Sequence, residues 1–253
     1  MTWSSFRSWF HKLGSPPYFY VAAGRWIPWL EISTAILFAI GFSWSLLIAP
    51  PDYQQGESVR IMYIHVPSAW MSMFVYLMMA GTAAIGLIWK VKIADALAAS
   101  SAPLGAWFTF LALTTGSLWG KPMWGTWWVW DARLTSELIL FFLYLGFIAL
   151  QSAIPDRQTA ARSSAILALV GIVNIPIIHF SVEWWNTLHQ PSSIIRMGKP
   201  AIAPQMLWPL FIMLLAFKMY YATAILMRAR CEILERERNS AWVRQVVMEF
   251  TSN

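Results

Sequence analysis

Six apolar runs, each close to the ~20 residues that cross a hydrocarbon layer about 30 Å thick, decide what this chain can become. They fall near 27–49, 66–88, 100–119, 135–154, 163–183 and 205–227 of 253 residues. In hydrocarbon every backbone N–H and C=O needs a partner within the protein, and a helix supplies it inside one segment. The expected fold class is therefore all-α: a polytopic membrane protein of six transmembrane helices, forming one integral membrane domain over 1–253. Composition agrees, with 58% hydrophobic and 12% charged residues. The net charge of +6 suits loops that face anionic lipid rather than nucleic acid.

Six spans put both termini on one side. That side holds twelve Lys and Arg, from Arg7, Lys12 and Arg25, through Lys90, Lys92, Arg157 and Arg162, to the five in the tail. The other side holds five: Arg60, Lys121, Arg133, Arg196 and Lys199. The bias places the termini in the cytoplasm. Residues 1–26 read as a short segment on the membrane surface, without the compact apolar core of a cleavable leader. The charged stretch 228–253 reads as a cytoplasmic tail helix beside lipid or a partner. Lys218 remains inside the last span, where it either snorkels or pairs.

The first, third and fifth connections then share the outer side, periplasmic in a Gram-negative cell. The third is unusual. Trp119-Gly-Lys-Pro-Met-Trp-Gly-Thr-Trp-Trp-Val-Trp-Asp131 puts Trp119, Trp124, Trp127, Trp128 and Trp130 into twelve residues. Two readings are open. Tryptophan anchors proteins at a membrane–water boundary, where its ring is half wet. It also offers a surface to a flat, greasy, partly polar ligand.

Histidine bears on the choice. His65 ends the first connection just before Pro67, a residue suited to the first turn of a helix. His189 lies in the fifth connection, before Pro191. Each alone reads as a surface histidine. Together, on one face of the membrane and flanking the tryptophans, they offer two axial nitrogens for a haem iron. Arg133 and Lys121 suit propionates. A zinc site would need three or four ligands and would leave the aromatics unexplained. Asp131 reads as the cap of the fourth span, or as a group orienting the loop through an indole N–H or Arg133. Glu137 follows one turn on. His179, ten residues before His189, reads as an interior histidine bonded to Glu183, with a deeper ligand as the other reading; Pro176 should bend that span. The single cysteine, Cys231, excludes a disulfide framework and a Cys-x-x-Cys-His haem attachment. No phosphate-binding loop is present: Gly120-Lys121 and Gly198-Lys199 are each followed by Pro. Any energy source belongs to another subunit.

The tryptophan stretch, continued to Ser136, resembles the signature of the haem-handling membrane proteins of cytochrome c maturation, the haem exporter C (CcmC) family. Ile64-His-Val-Pro67 and Asn174-Ile-Pro-Ile-Ile-His-Phe-Ser-Val-Glu-Trp-Trp-Asn-Thr-Leu-His189 agree with it, and the resemblance covers essentially the whole chain. It implies a protein that binds non-covalent, b-type haem in transit at the periplasmic surface of the bacterial inner membrane. His65 and His189 fall on the family's two haem histidines, beside the tryptophan loop with Asp131 and Arg133. It implies delivery to the periplasmic haem chaperone CcmE, and work beside an ABC-type ATPase (CcmA), a second membrane subunit (CcmB) and a one-span helper (CcmD). The role expected is binding and relay rather than catalysis. Two rival readings are a transporter that moves haem across the membrane through its own bundle, and a structural subunit whose tryptophans only anchor it.

Overall fold

The computed structural model of the protein describes residues 14–190 and 202–251. The surface reading of residues 1–13, with Arg7, His11 and Lys12, and the charges Arg196 and Lys199 lie outside the described residues. The regular structure described is helical, apart from an isolated bridge between Asp52 and Gly56. Helix α1 (Pro16–Ser43) runs on into a wide turn at Trp44–Ile48. A tight turn at Glu57–Ile61 leads into α2 (Met62–Trp89). Then come α3 (Lys92–Trp124), α4 (Ala132–Ala153), α5 (Arg157–Gly171), α6 (Asn174–Trp184), α7 (Pro204–Arg236) and α8 (Ala241–Thr251). Six segments are long and apolar enough to cross a membrane, α5 and α6 together making the fifth.

Helix α3 is the central post. Within its most apolar window 61% of residues are buried, against 11% for α1, which lies at the periphery against α7. The buried side of α3 is built from small residues, among them Ala96, Ala98, Ser101, Ala102 and Ala106. Lipid tails are as apolar as leucine, so membrane helices associate through close backbone packing and polar contacts. Helix α2 makes the most extensive contact with α3, and α4 and α7 also pack on it. Buried polar bonds join the layers: Tyr144 donates to the Ser72 carbonyl at 2.7 Å, and Ser101 and Tyr221 hydroxyls meet at 3.0 Å.

Four features differ from the sequence expectation. Residues 16–26 are the first turns of α1, not a separate surface segment. Pro16 and Pro17 occupy its first positions behind an extended Ser15, where proline starts a helix and loses no bond. The third span outlasts 119 and runs through Pro122 to Trp124. The fifth span is divided by a turn between Gly171 and Asn174, just ahead of Pro176, where only a bend was expected. Pro176 has no N–H for the Ile172 carbonyl and its ring crowds that group; Asn174 Nδ2 pins the break by donating to the Ser136 carbonyl at 2.9 Å. His179 is exposed on α6 with its ring against Phe180 at 4.7 Å, and Glu183 is exposed too, so the interior, Glu183-bonded histidine is corrected.

The tail is partly a continuation of α7 to Arg236 and partly the separate helix α8. Glu237 at the junction accepts from Lys92 Nζ at 2.9 Å and from Trp242 Nε1 at 2.7 Å. Burial pushes its carboxyl up, but the bonds from Lys92 and Trp242 outweigh that and hold it below the ordinary carboxylate value. Its contribution is complete at neutral pH and is lost as pH falls through its depressed pKa. Glu237→Gln should therefore speed amide hydrogen exchange across 241–251 at pH 7, and the difference from wild type should vanish in acid.

Candidate functional site

Helices of alternating direction bring the start of α2, the ends of α3 and α6 and the start of α4 to one end of the bundle. A cleft of about 480 Å3, its open mouth included, lies among them. His65, His189, Trp124, Arg133 and Glu137 all line it. A larger groove of about 690 Å3 lies at the opposite end beside Cys231 and Glu232, and none of the expected site residues reaches it.

His65 is the fourth residue of α2, because the helix begins before Pro67 and not at it. Its Nδ1 is 3.0 Å from the Ala112 carbonyl and 3.2 Å from Thr115 Oγ1. A carbonyl only accepts, so Nδ1 carries the proton and Nε2 keeps its lone pair. The Thr115 hydroxyl donates to Leu111 O at 2.6 Å, which leaves its oxygen as a second acceptor. Room for the ring comes from Gly116, where a Cβ would lie 2.9 Å from His65 Cε1.

His189 is held differently. Its Nδ1 lies 3.5 Å from Asp131 Oδ2 and 3.4 Å from Thr187 Oγ1. The Thr187 hydroxyl donates to Asp131 Oδ2 and accepts the His189 backbone N–H at 3.1 Å. With its proton committed, that oxygen accepts from Nδ1, so His189 also keeps Nε2 unprotonated. Asp131 does two jobs, because Oδ1 caps α4 by accepting from Leu134 N at 2.8 Å. Its partners are Leu134 and Thr187, and through them His189, in place of the expected indole N–H or Arg133. Burial first, and then Arg133, lower the His189 pKa, while Asp131 opposes them. The net direction is down, so the imidazole is neutral at pH 7.

The five tryptophans divide. Trp119 and Trp124 belong to the last turns of α3, which ends only at Gly125 with φ 77°, a left-handed backbone that favours glycine. The Trp119 ring meets His65 edge-on at 5.7 Å, and its Nε1 donates to Gln55 Oε1 at 3.0 Å. Trp124 meets His189 edge-on at 4.9 Å. Trp127 and Trp130 are exposed, and Trp128 is half-buried with its ring 5.5 Å from that of Trp130. Lys121 donates to Gly125 O at 3.0 Å and lies over the Trp127 ring, outside the cleft lining. Arg133 donates to Ile178 O at 2.7 Å, which ties the start of α4 to α6. Glu137 is buried at the cleft, its Oε1 without a protein partner.

Gln55, Thr115, Gly116 and Thr187 escaped the sequence reading. The signal for two of them was spacing: Thr115 and Gly116 precede Trp119 by four and three residues, which puts them on its face of one helix. Among the described residues no cluster of three His, Cys, Asp or Glu side chains is able to hold a metal ion; the cleft offers two imidazoles, those of His65 and His189.

Fold and site together define a six-span membrane protein with a two-histidine cleft at one end of its bundle. A family model described as "Heme exporter protein C" matches residues 9–244. "Heme exporter protein C" of Escherichia coli (strain K12) is 52% identical over 240 residues, covering 94% of this chain and 96% of that protein. The protein of the same name from Haemophilus influenzae is 50% identical over 236 residues, covering 93% and 96%. A "Putative cytochrome c biosynthesis ccmC-like mitochondrial protein" of Marchantia polymorpha is 44% identical over 220 residues, covering 83% and 87%. The chain belongs to the haem exporter protein C family.

Two outcomes follow from the geometry. Asp131→Asn keeps a side chain able to cap α4 but removes the charge that raises the His189 pKa; in histidine-labelled protein the His189 titration should move to still lower pH. Gly116→Ala should drive the His65 ring off the Ala112 carbonyl, read as loss of its single-tautomer nitrogen NMR signature.

Proposed function

We propose that this protein is a haem-handling subunit of cytochrome c maturation, a single integral membrane domain that holds haem at the periplasmic face of the bacterial inner membrane with both termini in the cytoplasm. His65 and His189 are the axial ligands. The observation that carries this reading is that both imidazoles line one cleft with Nδ1 tied back to the protein and Nε2 unprotonated, the state in which a histidine binds iron. The haem is b-type and in transit: Cys231 is at the other end of the bundle, beside Glu232. Arg133 is the cleft's cation for a propionate. Trp119 and Trp124 brace the two ligands, and the exposed Trp127 and Trp130, with Trp128 behind them, offer apolar surface at the mouth.

The role is relay, not catalysis. The two ligands differ in backing: a neutral carbonyl accepts directly from His65, while the Asp131 carboxylate acts on His189 through the Thr187 hydroxyl and from 3.5 Å. A carboxylate raises ligand basicity more, so His189 is the firmer ligand and His65 the one exchanged when haem passes to the chaperone CcmE. CcmA, CcmB and CcmD are the partner subunits that the family relationship supports. Passage of haem through the bundle has less support, because His179, Glu183 and Lys218, the polar groups such a path would use, face outward.

Absorption spectra of the purified protein, oxidised and reduced, test the reading. Wild type should give a six-coordinate, low-spin haem. His65→Ala and His189→Ala should each turn it high-spin or lose it, while His11→Ala leaves it unchanged. Wild-type spectra in both histidine variants would overturn the ligand assignment. Retention of haem after Trp124→Phe and Trp128→Phe together would limit the tryptophans to anchoring.

A further inference from the structure

Lys218 has no place in the haem cleft, and its surroundings are unusual. It stands fourteen residues into α7, a 33-residue helix, so it lies about 20 Å or more along the axis from either end. Its side chain is exposed on the outside of the bundle. Its one neighbour of note is the Phe74 ring on α2, 6.0 Å from Nζ. No carboxylate or carbonyl among the described residues accepts from it. A four-carbon stem does not carry an ammonium from mid-membrane to the headgroups, and a charge at that depth pairs or faces protein.

The ground around Lys218 has the form of a helix seat. Phe211, Leu215 and Lys218 recur on one face of α7, and Phe74, Met78 and Gly81 recur with the same spacing on the adjoining α2. The other five residues of this set are exposed as well. A Cβ at Gly81 would meet nothing within 4 Å, which leaves a notch where another backbone can approach.

We infer that the α2–α7 face seats a transmembrane helix of a different chain that carries an Asp or Glu at mid-membrane depth, paired with Lys218. Charge complementarity selects the acid. Register excludes a second copy as its source. Thr34 on α1 meets Thr223 on α7 at 3.2 Å, so the exposed mid-span acid of this chain, Glu31, lies level with about residue 226. A two-fold axis along the membrane normal preserves depth, and Glu31 of a copy would miss Lys218 by about 12 Å at 1.5 Å per residue. The inference is independent of the haem ligands.

Photo-cross-linking in native membranes tests it, with a benzophenone side chain at Leu215 and, as control, at Ile36 on the exposed side of α1. From position 215 the expected adduct is with a separate membrane chain whose span contains Asp or Glu. Lys218→Glu should lower that adduct at least tenfold, Lys218→Arg should preserve it, and replacing the captured acid by Lys in the Lys218→Glu background should restore it. Lys218→Met removes the charge without adding another and carries the test if Lys218→Glu fails to insert; an unchanged yield in it overturns the inference. So do adducts with lipid alone, with a second copy, or with an acid-free span. Haem absorption measured on the same membranes separates failure here from failure of the ligand assignment.

Discussion

Close packing of α2 against the small-residue side of α3 is the contact on which the rest depends. It puts the start of one helix beside the last turns of the other, so that a backbone carbonyl on α3, Ala112 O, lies within 3.0 Å of an imidazole on α2. The carbonyl selects the tautomer and Gly116 leaves the space. Bulk on either helix would separate the axes and remove the bond. Helix packing of this kind supplies both stability and ligand chemistry, since the tautomer of His65 is set by the distance between two backbones.

The other half of the site is built from a helix start. Asp131 is needed at the N-terminus of α4 whatever the function, because the first backbone N–H groups of a helix have no partner inside it. One of its oxygens satisfies Leu134 and the other is free to hold Thr187 and, beside it, His189. A structural requirement and an orienting role are met by the two oxygens of one side chain. The tryptophans follow the same economy: Trp119 and Trp124 complete α3 while their ring edges brace the histidines.

Much of this was legible from residue order. Apolar run lengths set the number of spans, and connectivity alone put His65 and His189 at one end. Asp131 was readable as a cap from its position before an apolar run. What was hidden was rotation about helix axes. The segment around His179 is apolar on every side, so hydropathy does not say which face turns inward, and His179 faces out. The break before Asn174 needed the joint effect of Pro176 and the Asn174–Ser136 bond, of which only the proline is visible in sequence. Thr187 was overlooked because its role exists only once a loop residue meets a helix cap fifty-six positions away.

That break has a mechanical consequence. His65 is mounted on α2 where it packs on α3, the most extensive helix contact among the described residues. His189 follows α6, an eleven-residue piece that leans on α4 and joins α5 through a turn at Ile172–Val173. The cleft thus resembles a vice with one jaw cast into the frame and the other on its own short carriage. The two jaws therefore rest on different supports: the central post behind His65, and behind His189 the start of α4, joined to α6 by the Arg133–Ile178 and Asn174–Ser136 bonds.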